Sequence, residues 1–391
     1  MEAAAPPYDF KYGADLLRQP ASELEGMWRW RSLLPIDGSR TYPLRVGGTP
    51  LVAPPGLRAD LALPRLFLKD ETRGPSGSNK DRATALCLTE ALSQGAAVVA
   101  AASSGNVAAS LATGAAAVGL SAYVFVPAGT VSPQKVQYMR SFGAMVFLVD
   151  GPYEAAYELS ERACQRFAWY SRNTAANPLA LQGKKTVAFE VWEQLDQRLP
   201  DVAFIPVGDG VTLAGFVLGC RELLRCGVAG RLPRVIGVQA RGAAPLADAF
   251  ASGAPWKPTP AKTVADGIEV GSPFYGDEAL EAVRATSGDF EVVSDGQILD
   301  AVRQLATGAG MLVEPAGAAA FAGLVQRSRR ESLADLTVVA LLTGTGLKDH
   351  RWFPTPAGDV RRIAPNLEAL TAAIRDAPAV ARLNRHQTNE P

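Results

Sequence analysis

The chain is poor in the residues that build metal sites and disulfide frames. Only two histidines occur in 391 residues, His350 and His386. The four cysteines, Cys87, Cys164, Cys220 and Cys226, are scattered through apolar or helical-looking stretches without CxxC spacing. Such usage fits reduced thiols in a cytosolic protein and argues against a zinc site or a disulfide framework. Neither sign of charge is in excess, since Lys+Arg and Asp+Glu balance at 39 each. With no basic stripe and no acidic tail, nucleic acid and membrane surfaces are not expected partners. Long apolar runs are missing too. The alanine-rich region of 95–127 is broken by Ser, Gly and Asn too often to span a bilayer, and MEAAAPPYDFKYGADLL lacks a basic segment followed by an apolar one. These absences point to a soluble, cytoplasmic protein.

Present instead is enough apolar material, 48% of the residues, for more than one hydrophobic core, which predicts two packed lobes. Short apolar runs recur: RLFLK (65–69), AAVVAA (96–101), AYVFV (122–126), MVFLV (145–149), VAFIPV (202–207), RVIGVQ (234–239) and LTVVALL (336–342). Apolar on both faces, they read as strands of parallel sheets covered by helices. Between them DRATALCLTEALSQG, SPQKVQYMRSFG and DGQILDAVRQLATGAG carry helical periodicity and end at glycine, where a C-cap sits. The alternation predicts an α/β protein of open twisted sheets, with ligands at the carboxyl ends of the strands. Pro/Gly-rich patches at 43–57 and 252–260 read as surface loops, and the end of the chain, RLNRHQTNEP, as a fraying tail.

Four stretches carry chemistry. In GPSGSNKDR (74–82) a lysine, Lys80, opens a helix after a tight Gly/Ser turn. The positive end of a helix dipole disfavours its charge, and an uncharged amine can attack a carbonyl; a surface lysine paired with Asp81 is the alternative. In AASSGNVAAS (101–110) the Ser103-Ser104-Gly105 turn follows a strand and precedes a helix, which makes a nest for a carboxylate, and Asn106 offers a hydrogen bond to a phenolic oxygen. An ordinary serine-capped turn reads the same way. In IPVGDGVTLAG (205–215), Gly208 and Gly210 let the main chain close on a phosphate, with donors from Gly208 to Thr212. The stretch matches neither GxxxxGK[ST] nor GxGxxG, so a monophosphate fits better than a nucleotide. In LLTGTGLKD (341–349), Thr343 can offer a hydroxyl to a ring nitrogen, or close a plain glycine turn.

Together these stretches resemble the fold-type II, tryptophan-synthase-β-like enzymes that use pyridoxal 5′-phosphate, and within that group the threonine synthase family. The resemblance runs over about 40–350 and includes KDE…GPSGSNKDR, SSGN, NP…QGKKTVAFE, PVGDG, VADGIEVGSP, VEPAGAA and TGTGLKD. It implies Lys80 as the Schiff-base and general-base lysine, and Asn106 at the ring oxygen. The phosphate cup would be Gly208, Asp209, Gly210, Val211 and Thr212, with Thr343 at the ring nitrogen. Ser103, Ser104, Gly105 and Asn106 would hold the substrate, with Lys185 beside them. It further implies an entry segment over 1–60 and a small lobe over 85–185. The large lobe would take 61–84 and 186–370, and the tail 371–391. Each lobe would carry a mostly parallel sheet, and the molecule would form a homodimer.

The chain departs from the family at the substrate side. Asn79 stands where SFK is common, Val107 follows Asn106, and Ala180 occupies the position of an arginine that helps hold the substrate's phosphate. Losing a guanidinium from a dianion site costs several hydrogen bonds of about 1.5–3 kcal/mol each. Lys184, Lys185, Arg172 and Lys135 are the nearby replacements, although Lys184 and Lys185 also read as a solvated helix start. The implied reaction is elimination or replacement, γ or β, on an amino acid with an activated side chain that departs from O-phosphohomoserine. Threonine synthesis itself, β-replacement as in cysteate synthesis from O-phosphoserine, serine or threonine dehydration, and a non-catalytic binding protein of this fold remain open.

Overall fold

The computed structural model describes Leu17 and residues 24–36, 42–129, 131, 133–354, 360 and 362–375. His386 and the tail expected to fray lie outside the described residues, as does much of the expected entry segment. The chain divides into one unit over 1–353 and a second over 354–391, in which a helix is described over Leu367–Arg375.

The first unit is built on two sheets. The larger has six strands in the order β1 (Leu51–Val52), β2 (Leu66–Asp70), β10 (Val338–Leu342), β7 (Val202–Pro206), β8 (Arg234–Ala240) and β9 (Asp289–Val293). All its pairings are parallel except that of β1 with β2. The smaller sheet is wholly parallel, in the order β5 (Met145–Val149), β4 (Ser121–Pro127), β3 (Val98–Ala102) and β6 (Tyr170–Ser171).

The reason is visible in the strands themselves. Every residue of β7 and β10 is buried, as a central strand covered on both faces requires. In the smaller sheet the faces separate with period two. Val99 and Ala101 pack on α2 (Lys80–Ser93) and α3 (Asn106–Val118), while Ala100 and Ala102 pack on Ala156 and Ala163 of α5 (Tyr153–Phe167). One face of the larger sheet is covered by α10 (Asp295–Ala309) and α11 (Pro315–Ser328). The other is covered by α6 (Leu179–Gln194), α7 (Val211–Arg225), α8 (Pro245–Ser252) and α9 (Gly276–Ala285). A short α1 (Pro55–Asp60) precedes β2, and α4 (Pro133–Ser141) lies between β4 and β5.

Helices α2 and α6 run across the lobe boundaries expected at 85 and 185 and tie the two sheets together. Their close approach depends on Gly183, where a Cβ would lie 2.4 Å from the Arg82 carbonyl oxygen. A buried ion network adds to the tie. The Arg82 guanidinium donates to both Glu71 oxygens at 2.6 and 2.7 Å and to both Glu190 oxygens at 2.7 Å. Lys69 donates to Glu190 Oε2 at 2.7 Å. Two cations and two carboxylates cancel, and the paired cations hold Glu190 well below the usual carboxylate range.

The patch at 43–57 is only in part the surface loop expected of it: Pro43, Arg45, Pro50 and Ala53 are exposed, but the stretch also holds β1 and the start of α1. Val46 and Leu57 are buried in the hydrophobic cores and Thr49 is buried beside Glu190, whose carboxylate accepts from the backbone N–H groups of Gly48 and Thr49 at 2.8 and 3.3 Å. All four cysteines are buried and unpaired. Among the described residues no helix is long and apolar enough to cross a membrane.

Candidate active site

All four stretches singled out in the sequence reach one cleft of about 940 Å³ at the carboxyl ends of the strands. Its wall includes Lys80, the turn Ser103–Asn106, the turn Gly208–Thr212 and Thr343. The topology explains why. Strands β3, β7 and β10 each end at one of these turns, and β2 leads through a short turn to Lys80.

Lys80 is the first residue of α2, and the turn before it is closed on the larger sheet: the Asn79 N–H donates to the Thr343 carbonyl at 2.9 Å. Among the described residues the amine has one hydrogen bond, to Asn79 Oδ1 at 3.4 Å, too long to commit it. Burial pushes the amine down from its ordinary value, Arg172 and Lys348 push the same way, and Glu314 and Asp209 push back. An amine so placed sheds its proton more readily than a surface lysine.

Gly210 caps α7 with φ +91, a conformation that L side chains rarely adopt. The first N–H groups of α7 therefore point into the cleft without helical partners, and the Thr212 hydroxyl accepts from Asn79 Nδ2 at 3.3 Å. Asp209 turns back, its Oδ1 accepting from the Phe274 N–H at 2.8 Å; burial pushes this carboxyl up to about 6. The Thr343 hydroxyl makes no hydrogen bond with the described residues.

An uncommitted amine, a helix N-terminus with free donors and an unengaged hydroxyl in one cleft fit a phosphorylated aldehyde with a ring nitrogen. Residues 42–344 match the family described as pyridoxal-phosphate dependent enzyme. The threonine synthase of Methanosarcina acetivorans is 35% identical over 371 residues, 94% of this chain and 91% of that one. That of Methanocaldococcus jannaschii is 36% identical over 83% of this chain and 81% of its own. This chain belongs to the threonine synthase family. Like its relatives, this family member is a fold-type II lyase that uses pyridoxal 5′-phosphate. Solved structures share the fold: an L-serine ammonia-lyase from Rhizomucor miehei (TM-score 0.66, 26% identical) covers 76% of this chain and 93% of its own. The processed form of threonine deaminase isoform 2 from Solanum lycopersicum (TM-score 0.66, 22%) covers 78% and 86%.

One expected site residue of this threonine-synthase-like chain is not brought to the cleft. Lys185 lies on the far side of α6, fully buried, and its Nζ pairs with Glu222 Oε1 of α7 at 2.9 Å. Its neighbour Lys184 reaches the turn before Lys80 instead, donating to the Asn79 carbonyl at 2.5 Å from behind the cleft wall. Ala180, one turn earlier on that face, packs against Ala83 and Val211. Unassigned in the sequence, Glu314 and Thr174 also line the cleft, and Lys348 lies directly behind Asn106. Glu314 and Lys348 stood inside the motifs VEPAGAA and TGTGLKD, but nothing in those motifs says what they touch.

Proposed function

We propose that this enzyme eliminates or replaces an anionic, phosphate-type leaving group on the side chain of an amino acid, as conversion of O-phosphohomoserine and water into threonine and phosphate requires. The observation that carries this reading is Arg172. The residue is 1% exposed, yet its guanidinium has no carboxylate partner among the described residues. Nε donates to Thr84 Oγ1 at 2.9 Å and Nη1 to Thr174 Oγ1 at 3.2 Å. Because the Thr174 oxygen accepts from Arg172, its own O–H is turned elsewhere, and Thr174 lines the cleft. Lys184, also buried and without an ion pair among the described residues, adds a second basic group nearby, its charge disfavoured by burial and by Arg172. Buried charge of one sign calls for an opposite charge in the ligand.

In this reading Lys80 and Asn106, with Gly208, Asp209, Gly210, Val211, Thr212 and Thr343, hold the cofactor, which when bound supplies an electron sink for bonds at Cα. The Ser103-Ser104-Gly105 turn binds the substrate's α-carboxylate through its N–H groups. Lys80, its charge disfavoured by burial, takes and returns the proton at Cα. The Thr343 hydroxyl, a neutral partner for a ring nitrogen, does not favour protonating it, which suits loss of a leaving group over transamination. The expected small lobe (85–185) and large lobe (61–84 and 186–370) would then meet at this cleft. On the pattern of the family, the enzyme in this reading is a cytoplasmic homodimer.

A second reading, a phosphorylated substrate other than O-phosphohomoserine, is favoured by Ala180, whose apolar packing offers an anion no donor and leaves that task to Thr174, with Arg172 behind it. Phosphate release from O-phosphohomoserine and O-phosphoserine, with the products identified by mass spectrometry, tests both readings. Threonine from the first substrate supports the first reading; release from O-phosphoserine alone supports the second. Turnover of unphosphorylated serine or threonine at equal rate would discard both.

A further inference from the structure

Three segments far apart in sequence meet at one side chain. Asn106, the first residue of α3, is gripped at both ends of its amide. Nδ2 donates to Glu314 Oε1 at 2.5 Å, and Oδ1 accepts from the Lys348 ammonium, which also donates to the Ser76 carbonyl at 3.1 Å. Both grips are fixed in turn. The Glu314 N–H donates to the Gly344 carbonyl at 3.0 Å, and its carboxyl lies so close over Gly344 that a Cβ there would sit 2.1 Å from Oε1. Lys348 ends a short helical turn, Gly346–Lys348, which is tied to Leu312 by the Gly346 N–H at 2.9 Å.

The two grips have opposite chemistry, and that fixes the amide's direction. Turning it over would set its N–H groups against an ammonium and its oxygen against a carboxyl, so both charge-assisted bonds would be lost at once. Nδ2 carries two hydrogens. One is committed to Glu314, and Asn106 lines the cleft, where the other remains to be used.

We propose that Glu314 and Lys348 are positioning residues that lock the Asn106 amide so that its uncommitted N–H faces the ring oxygen of the bound cofactor. The inference rests on the reading of Asn106 as that oxygen's partner. An unlocked amide would present its oxygen as readily as its nitrogen, and an acceptor facing the ring oxygen repels it. Lys80, Asp81, Lys135 and Asp266 are the other charged groups near the pair.

The test uses cofactor-loaded enzyme and reads the bound cofactor's visible absorbance and its pH midpoint, with cofactor affinity from equilibrium dialysis. Loading at position 80 is checked by borohydride fixation and peptide mass spectrometry. Asn106→Ala should move the absorbance midpoint and weaken affinity roughly tenfold, the loss of one hydrogen bond to a charged group. Lys348→Met and Glu314→Ala should move the midpoint the same way. Lys348→Arg, which keeps a donor to Oδ1, should restore it. The double variant Asn106→Ala/Lys348→Met should do no more than Asn106→Ala, because both act through one amide. If Asn106→Ala moves the midpoint and Lys348→Met and Glu314→Ala leave it in place, the lock is wrong and the role of Asn106 stands. If Asn106→Ala itself leaves it in place, the lock falls with the reading beneath it.

Discussion

At the scale of the residue, the cleft depends on a few positions where no other side chain fits. Gly210 is the sharpest case, holding φ +91 at the cap of α7 with the Tyr275 carbonyl oxygen 2.4 Å from where a Cβ would lie. Gly210→Ala must move that backbone and with it the donors at the helix start. The expected cost is about 1–3 kcal/mol of stability, read by urea denaturation. The rise in thermal midpoint on adding pyridoxal phosphate should also shrink against the parent protein. A full-sized ligand shift in the variant would mean that the phosphate sits elsewhere. Lys80, Asn106 and Thr343 could be singled out from sequence because each sits at a turn that closes a strand or opens a helix. The partners of Asn106 could not be, since Glu314 and Lys348 stand 208 and 242 positions away. Lys184 and Lys185 show the other limit: neighbours on a helix point about 100° apart, and the doublet does not say which one reaches the turn before Lys80.

At the scale of the element, the ion network of Arg82 joins α2, α6 and the turn at 47–49 without a water molecule's width of exposure, since Arg82, Glu71 and Glu190 are each no more than 2% exposed. Arg82→Met leaves two buried carboxylates with only Lys69 to share. Breaking a buried pair from one side costs about 3–5 kcal/mol. Chemical denaturation should show a loss of that size; a change below about 1 kcal/mol would mean that water reaches the carboxylates. Strands were legible where the apolar run is continuous, whether wholly buried as in β7 and β10 or at a sheet edge with Met145 and Leu148 exposed, as in MVFLV, which is found at the positions read from sequence. Strand β9, DFEVV, escaped notice because it is an edge strand with Asp289, Phe290 and Val292 half-buried, so its sequence lacks the continuous apolar run. The stretch at 43–57 misled in the opposite direction. Gly47 and Gly48 signal a turn, and nothing local reveals that a carboxylate more than a hundred residues on accepts from its N–H groups.

At the scale of the whole molecule, formal charges cancel at 39 of each sign, so the dependence of stability on pH is set by buried groups, not by overall repulsion. Lys80, Lys184 and Lys348 all have their ammonium groups disfavoured, with burial the largest cause in each case, and Lys184 is held well below its ordinary value of 10.5. A lysine whose folded value is lowered binds fewer protons in the fold than in the unfolded chain. Between the lowered value and 10.5 the unfolded state therefore holds the extra proton, and stability rises with pH across that window. Lys184→Met separates this effect from packing, because it removes the titrating amine and deprives the Asn79 carbonyl of a donor worth about 1 kcal/mol. Near pH 10 the cofactor-free variant should be the less stable protein by about that amount. As the pH falls toward 6 the unfolded parent is increasingly favoured by the proton its Lys184 takes up and the fold excludes, and the two stabilities should converge and cross. Urea denaturation at a series of pH values measures both lines. Lines that stay parallel from pH 6 to 10 would show that Lys184 keeps its proton in the fold, and the cationic end of the cleft would then owe its charge to Lys184 as fully as to Arg172.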